Sequence, residues 1–285
     1  MSAASTSVSV FGPGLMGGSL LMALRQRAPE VKLGVWARRA EAVKELEDRG
    51  LVDFGGTDAA AVAAGSQMIV LCLPVDRLKD VSAVIKGALP RGAFVTDVGS
   101  VKQSVVADLE NVFGPDFVGS HPMCGSEAAG LGAARADLYE GALCVVTPTA
   151  CSSAESVRRV RALWQTVGAR TIDMSPADHD RAAAVVSHVP HVLAALLVEL
   201  VASGDAAFRQ LCAGGFRDTT RIASGSPDLW AGILSSNRAE VLASLRKLGS
   251  AVAQVEGVLE RNDIAALRGF LEGAVRHRSE ILSQS

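Results

Sequence analysis

A β-branched and aromatic run, Val8 to Phe11, ends at Gly12-Pro13-Gly14-Leu15-Met16-Gly17-Gly18, and a periodic apolar stretch with Leu20, Leu21 and Leu24 follows. No other feature restricts the fold as tightly. Strand, glycine turn and helix in that order make the opening of a dinucleotide-binding βαβ unit. Gly12 permits the tight turn, Gly14 lets backbone approach a pyrophosphate, and Gly17 lets the helix pack closely on the strand. The helix start at Leu15 and Met16 offers free N–H groups to the phosphates.

A second strand, Val31 to Trp36, ends at Ala37-Arg38-Arg39. An NAD-binding unit usually carries Asp or Glu there, about 20 residues beyond the glycines, to hold the ribose 2′-hydroxyl. Ala37 places no carboxylate against a 2′-phosphate, and the forked guanidiniums of Arg38 and Arg39 can hold one. The other reading is two solvated arginines at a helix start, where positive charge opposes the helix dipole. NADP is therefore the favoured cofactor over NAD.

The chain then alternates. Helices are predicted over 58–64, 76–86 and 153–166, and strands over 67–73, 93–98, 117–119, 143–147 and 168–173. From Ala177 the pattern is helix only. The expected fold is an α/β Rossmann-type N-terminal domain (residues 1–174) with a parallel, doubly wound sheet, followed by an all-α C-terminal domain (residues 175–285) whose long amphipathic helices bury their apolar stripes on each other or on a second subunit. A chain of 285 residues, 49% hydrophobic and 20% charged, can bury both cores. The net charge is −2 and no basic stripe occurs, which argues against a nucleic-acid partner. No signal peptide is read at the N-terminus, and no apolar run of the roughly 20 residues needed for a membrane span. Five cysteines without a CxxC pair fit free thiols in the cytoplasm.

Open sheets of this type bind ligands at the carboxyl ends of their strands. Two such ends are Leu73-Pro74-Val75 and Asp97-Val98-Gly99-Ser100-Val101-Lys102. A third is Ser120-His121-Pro122-Met123-Cys124-Gly125-Ser126-Glu127, a Gly- and Pro-broken loop that would put His121 within reach of a substrate. A loop His that only hydrogen-bonds backbone is the competing reading. In the second half Val185, Val189, Val192, Leu196 and Leu200 fall at helical spacing, and His188 and His191 share a face. Pro190 would kink this helix unless a bend exposes the histidines. Two histidines without a further ligand set do not make a metal site, and none is expected. Asn237 with Glu240 reads as a capping box, and Asn262 as the start of the last helix.

Taken together, the glycine block, Asp97 to Lys102, His121 to Glu127, His179-Asp180 with Ser187 to His191, and Gly215 to Ala223 resemble the prephenate/arogenate dehydrogenases of tyrosine biosynthesis, over nearly the whole chain. Cys124 stands where that family more often has Ala. The resemblance implies oxidative decarboxylation of prephenate or arogenate with hydride transfer to NAD(P), and a homodimer built on the helical half. It implies that His121 accepts the hydrogen bond of the ring hydroxyl and that Ser100 orients His121 or the nicotinamide. Arg221, His188, Glu127 and Trp230 fall at substrate-pocket positions, with an ion pair to Asp218 as the structural alternative for Arg221. Neither a fused chorismate mutase segment nor a C-terminal regulatory domain is read, so feedback through such a domain is not expected. Two other functions compete. A β-hydroxyacid-type dehydrogenase would need a lysine in the helical domain, and that half offers only Lys247, on an amphipathic helix. An NADP-sensing regulator would bind cofactor without turnover.

Overall fold

The structure, a computed structural model, describes residues 7–125 and 128–283. Glu127, expected in the substrate pocket, lies outside the described residues. In chain order the first elements are β1 (Ser7–Phe11), α1 (Leu15–Arg27), β2 (Lys32–Trp36), α2 (Ala40–Asp48), β3 (Phe54–Gly56), α3 (Ala59–Ala64), β4 (Met68–Leu71), α4 (Val75–Ile85), β5 (Phe94–Asp97) and α5 (Gln103–Phe113). The five strands form an all-parallel sheet in the order β3-β2-β1-β4-β5. Helices cover both faces, so β4 reads as a continuous apolar run, whereas β1 carries the buried Ser9, which accepts from Ser66 Oγ at 2.7 Å. Successive side chains still go to opposite sides. Val8, Val10, Met68 and Val70 pack with Leu20, Leu21 and Leu24 of α1, whereas Phe11, Ile69 and Leu71 pack with Val62, Leu78, Ile85 and Leu109 of α3, α4 and α5.

The single doubly wound sheet expected from sequence stops at β5. The next strands, β6 (Gly119–Pro122), β7 (Leu143–Thr147) and, after α6 (Ala154–Thr166), β8 (Arg170–Asp173), form a second sheet in the order β6-β7-β8. One parallel bridge, Val95 to Phe117, sets the β6 segment beside β5. β7 runs antiparallel to β6 and parallel to β8. Between β6 and β7 the described residues hold only a short 3-10 turn, Leu131–Ala133, and a parallel return needs a crossover helix.

The helical part consists of α7 (Pro176–Ala183), a π-helical turn (Ala184–His188), α8 (Val189–Ala202), α9 (Ala206–Gln210), α10 (Gly214–Thr220), α11 (Pro227–Ser236), α12 (Arg238–Glu260) and α13 (Ile264–Ser283). The chain divides into two compact units, Met1–Arg238 and Ala239–Ser285. The first extends past the change of periodicity at 174/175 because α7 packs on α5 and β7, and α11 packs on α4. Pro190 does not open a bend that exposes the histidines. It falls in the first turn of α8, where its missing N–H is tolerated, and the π-helical turn just before it keeps the helix running. His188 and His191 are consequently buried.

Pro176–Ala202 thus forms one helix of 27 residues, long and apolar enough by length and composition to cross a membrane, with mean hydropathy 1.9 over its most apolar stretch. The sequence predicts no apolar run of that length and a kink at Pro190, and the structure differs on both counts. Its buried face carries His179, Asp180, His188 and His191, and its exposed face carries Val185, Val186, Leu196 and Leu200. In the second unit, Asn262 does not start α13. It adopts φ 50° in the turn after α12, and Asp263 caps α13 by accepting from the Ala266 amide at 3.0 Å.

Candidate active site

Parallel strands bring their carboxyl ends to one edge, and the glycine turn lies there, between β1 and α1. Gly12 has φ +99°, and a Cβ on it would sit 2.5 Å from the Cys72 carbonyl oxygen and 2.8 Å from Leu73 Cδ2. The turn is therefore closed to side chains on its inner side. A Cβ on Gly17 would run into the Gly12 carbonyl, so α1 lies close on β1. Gly14 is different, because a Cβ there would meet nothing within 4 Å. Gly14 is the N-cap of α1, with no side-chain cap and no acid in the first turn, so the amides that open this helix are left for an anion. Tyr139 Oη donates to the Met16 carbonyl at 2.7 Å and steadies this first turn. Pro74, at the start of α4, and Leu73 close the cradle on the β4 side. Arg38 and Arg39 are exposed directly after β2, while Ala37 is buried and donates its amide to Gly56 O at 3.2 Å. This cradle fits a dinucleotide phosphate.

His121 is not in an open loop. It lies in β6, opposite Val145 of β7, and is 92% buried (8% exposed). Its Nδ1 is 2.8 Å from His179 Nε2 on α7. His179 Nδ1 is in turn 2.8 Å from Asp180 Oδ1. The Asp180 carboxylate also accepts the Lys102 amide at 2.7 Å and the Gln103 amide at 2.9 Å, at the N-terminus of α5. That terminus is a favourable place for a carboxylate. Burial, followed by the neighbouring His179, Lys102 and His188, holds the His121 ring well below its ordinary value of 6.5, so it is neutral at neutral pH.

Beneath this chain lies a buried ion pair between Lys102 Nζ and Asp97 Oδ2, both fully buried. Lys102 Nζ also donates to the Ser120 carbonyl at 3.0 Å. Asp97 accepts the Gly99 amide at 2.8 Å and the Ser120 amide at 3.2 Å. The pair therefore ties the turn carrying Ser100 to the strand carrying His121. Ser120 is fixed further by Trp164 Nε1, which donates to its Oγ at 2.9 Å.

A second group sits where α8 begins. Asn237 Nδ2 donates to the Asp180 carbonyl at 2.8 Å and lies 3.1 Å from His188 Nδ1. The sequence reading gave Asn237 to a capping box, but its side chain is buried and turned to the histidines. His188 Nε2 and His191 Nδ1 are buried without a hydrogen-bond partner among the described residues. Burial lowers His188 to about 4, against the nearby Asp180 charge, which raises it. Trp230 stacks on His191 with centroids 3.6 Å apart and meets His188 edge-on at 6.2 Å. Gly225 admits this stack, since a Cβ there would strike the Trp230 indole. Arg221 opens the 3-10 turn Arg221–Ser224, which packs on α8.

Among the residues expected from sequence, Gly12, Gly14, Leu15, Met16, Gly17, Leu73 and Pro74 gather in the cradle, and His188 and Trp230 gather in the second group. Ser100 is half-buried between β5 and α5, and its backbone carbonyl lies by the His188 ring. Lys102, His179 and Asp180 have no individual role in the sequence reading, and Asn237 has only that of a helix cap. The signal for the first three was present in the quoted motifs: a lysine and two acid/imidazole residues among apolar neighbours must be paired if buried. Among the described residues no group of three metal-ligating side chains occurs.

Two family models match end to end. Residues 20–173 match the prephenate dehydrogenase nucleotide-binding domain, and residues 175–272 match the prephenate dehydrogenase dimerization domain. A prephenate dehydrogenase of Bacillus subtilis is 30% identical over 95% of this chain and 75% of its own length. Among solved structures, prephenate dehydrogenase from Aquifex aeolicus, in complex with hydroxyphenyl propionate and NAD+, is 30% identical with TM-score 0.93, covering 99% of this chain and 100% of that one. Synechocystis arogenate dehydrogenase is 28% identical with TM-score 0.84, covering 96% and 99%. With both halves matched in order over a shared fold, the chain belongs to the prephenate dehydrogenase family.

Proposed function

We propose that this protein oxidatively decarboxylates prephenate, to 4-hydroxyphenylpyruvate, or arogenate, to tyrosine, using NADP in preference to NAD, and that it works as a homodimer. The observation that carries the reading is His121, neutral and buried at the end of β6 among groups that hold its ring in one orientation. Its free ring nitrogen accepts the proton of the ring hydroxyl as the carbonyl forms. Ser100 orients that encounter from the adjoining turn. Arg221 and the orphaned Nε2 of His188 hold substrate oxygens, and a carboxylate can take both guanidinium donors. Trp230 walls the pocket. A dinucleotide held by the glycine cradle with Leu73 and Pro74 would supply the acceptor for the hydride that leaves the hydroxyl-bearing carbon. The ring carboxylate leaves as carbon dioxide, and the electrons of the broken bond aromatise the ring.

The cofactor reading follows from this chain's own residues. The Aquifex relative is described with NAD+. Here Ala37-Arg38-Arg39 leaves the 2′ position without a carboxylate and with two exposed guanidiniums. The dimer reading is supported by the exposed apolar residues Leu196, Leu200, Phe208 and Leu211, all inside the segment matching the dimerization domain. The functional division falls at residue 174, where the nucleotide-binding part ends.

A steady-state assay crossing prephenate and arogenate with NAD and NADP tests the reading. Turnover is expected with at least one substrate, faster in kcat/KM with NADP. Tight NADP binding without turnover on either substrate would instead make the protein a sensor of the cofactor.

A further inference from the structure

We infer that Asp180 sets the two active-site histidines in opposite tautomers: through His179 it leaves His121 with a bare Nε2, and through Asn237 it leaves His188 with a protonated Nε2. The inference rests on the proposed role of His121 as proton acceptor and names the residues that prepare it. The assignment follows the hydrogen bonds from their fixed ends. Both Asp180 carboxylate oxygens already accept backbone amides, from Lys102 and Gln103, so the group is an acceptor anchored on α5. His179 must then donate from Nδ1 to Asp180 Oδ1. A neutral His179 has only a lone pair left on Nε2, so His121 must donate to it from Nδ1. The His121 proton is thereby committed, and its Nε2 presents a lone pair.

The other branch starts at the Asp180 backbone carbonyl. Only an NH2 group can donate to that oxygen, which fixes the Asn237 amide with Nδ2 toward it. The second Nδ2 hydrogen reaches His188 Nδ1, which accepts and so carries no proton. The His188 proton sits on Nε2, the buried atom that has no hydrogen-bond partner among the described residues. One residue thus supplies a proton acceptor and a hydrogen-bond donor side by side: His121 for the substrate hydroxyl, His188 for a substrate oxygen. His179 and Asn237 are positioning residues, since each acts through another ring.

Ring ¹⁵N NMR of the ligand-free protein reads the tautomers directly. The expected spectrum has an unprotonated Nε2 on His121 and an unprotonated Nδ1 on His188. His179→Phe removes the acceptor and should mix the His121 tautomers, lowering kcat by about 10²–10⁴ with a smaller change in KM, as when a general base loses its orienting partner. His179→Gln can still accept from His121 and donate to Asp180, and should recover most of that loss along with the His121 signature. Asn237→Leu should mix the His188 tautomers and leave His121 as in the wild type. A wild-type His121 protonated on Nε2, or a folded His179→Phe protein with wild-type kcat and signature, would overturn the inference. If the wild type showed the expected tautomers but oxidised neither prephenate nor arogenate, the tautomer frame would stand and the proposed function would fail.

Discussion

The glycine cradle and the histidine cluster solve opposite problems. The cradle works with backbone. Its glycines lie within six residues, and what matters at Gly12, Gly14 and Gly17 is the absence of a side chain. The cluster works with side chains drawn from four segments: β5 with its following turn, β6, the helix α7–α8, and Asn237 at the end of α11. A local backbone device can be written in a short motif. A buried polar network needs the whole first unit to be folded before any of its bonds exist, and each member then depends on the rest.

The largest expected effect separates the two. Lys102→Met should leave the Asp97 carboxylate buried beside two amides and without its cation, at a cost of about 3–5 kcal/mol in unfolding free energy. Chemical denaturation measures it, and a loss under about 1 kcal/mol would show the pair to be dispensable. Next comes the cradle's selectivity. Ala37→Asp combined with Arg38→Ser should weaken NADP by about 1.5–3 kcal/mol per lost charged hydrogen bond and spare NAD. A wild type preferring NAD tenfold would remove the basis for that expectation.

Two neighbouring glycines sharpen the contrast. Gly12→Ala forces a side chain into φ +99° and against the Cys72 carbonyl, and should destabilise the fold by about 1–3 kcal/mol. Gly14→Ala meets no atom of the described residues within 4 Å, so thermal stability should hold while dinucleotide affinity falls. Equal stability losses in both would contradict the view that Gly14 is kept open for a ligand. The histidines add an effect that only acidification reveals. Above about pH 6.5 these rings are neutral both folded and unfolded. Below it the unfolded chain takes up protons that His188 in the fold accepts only near 4, and His121 also only well below 6.5. Stability should therefore fall with acidification by about 1.4 kcal/mol per pH unit per ring across that window. A stability flat from pH 7 to pH 4 would mean the rings are solvated.

The same contrast explains what could be read from the chain. Strand, glycine turn and helix are local, and so the cradle and the parallel sheet were legible. Phe54-Gly55-Gly56 gives no strand signal in the sequence, yet pairs as β3, because Gly34 and Gly55 let that strand pack tightly against β2. His121 reads as a loop residue from its Gly and Pro neighbours, yet tertiary pairing with β7 makes it a strand. Asn237 reads as a helix cap, since that role needs only four residues of sequence. Its partners are 57 and 49 residues away, and no local pattern points to them. The apolar stripe around Leu196 and Leu200 was legible as a helix face, whereas its exposure was not, because burial on another chain and burial in a core share one periodicity.

The central claim is that the network around His121 performs the chemistry while the glycine cradle performs the binding. It is tested most directly by the kcat of His121→Asn, measured alongside its dinucleotide affinity and melting temperature. The expected result is a folded protein that binds dinucleotide like the wild type, keeps its substrate KM within a few-fold, and loses about 10²–10⁴ in kcat. A folded His121→Asn protein with wild-type kcat would place the proton acceptor elsewhere and contradict the account.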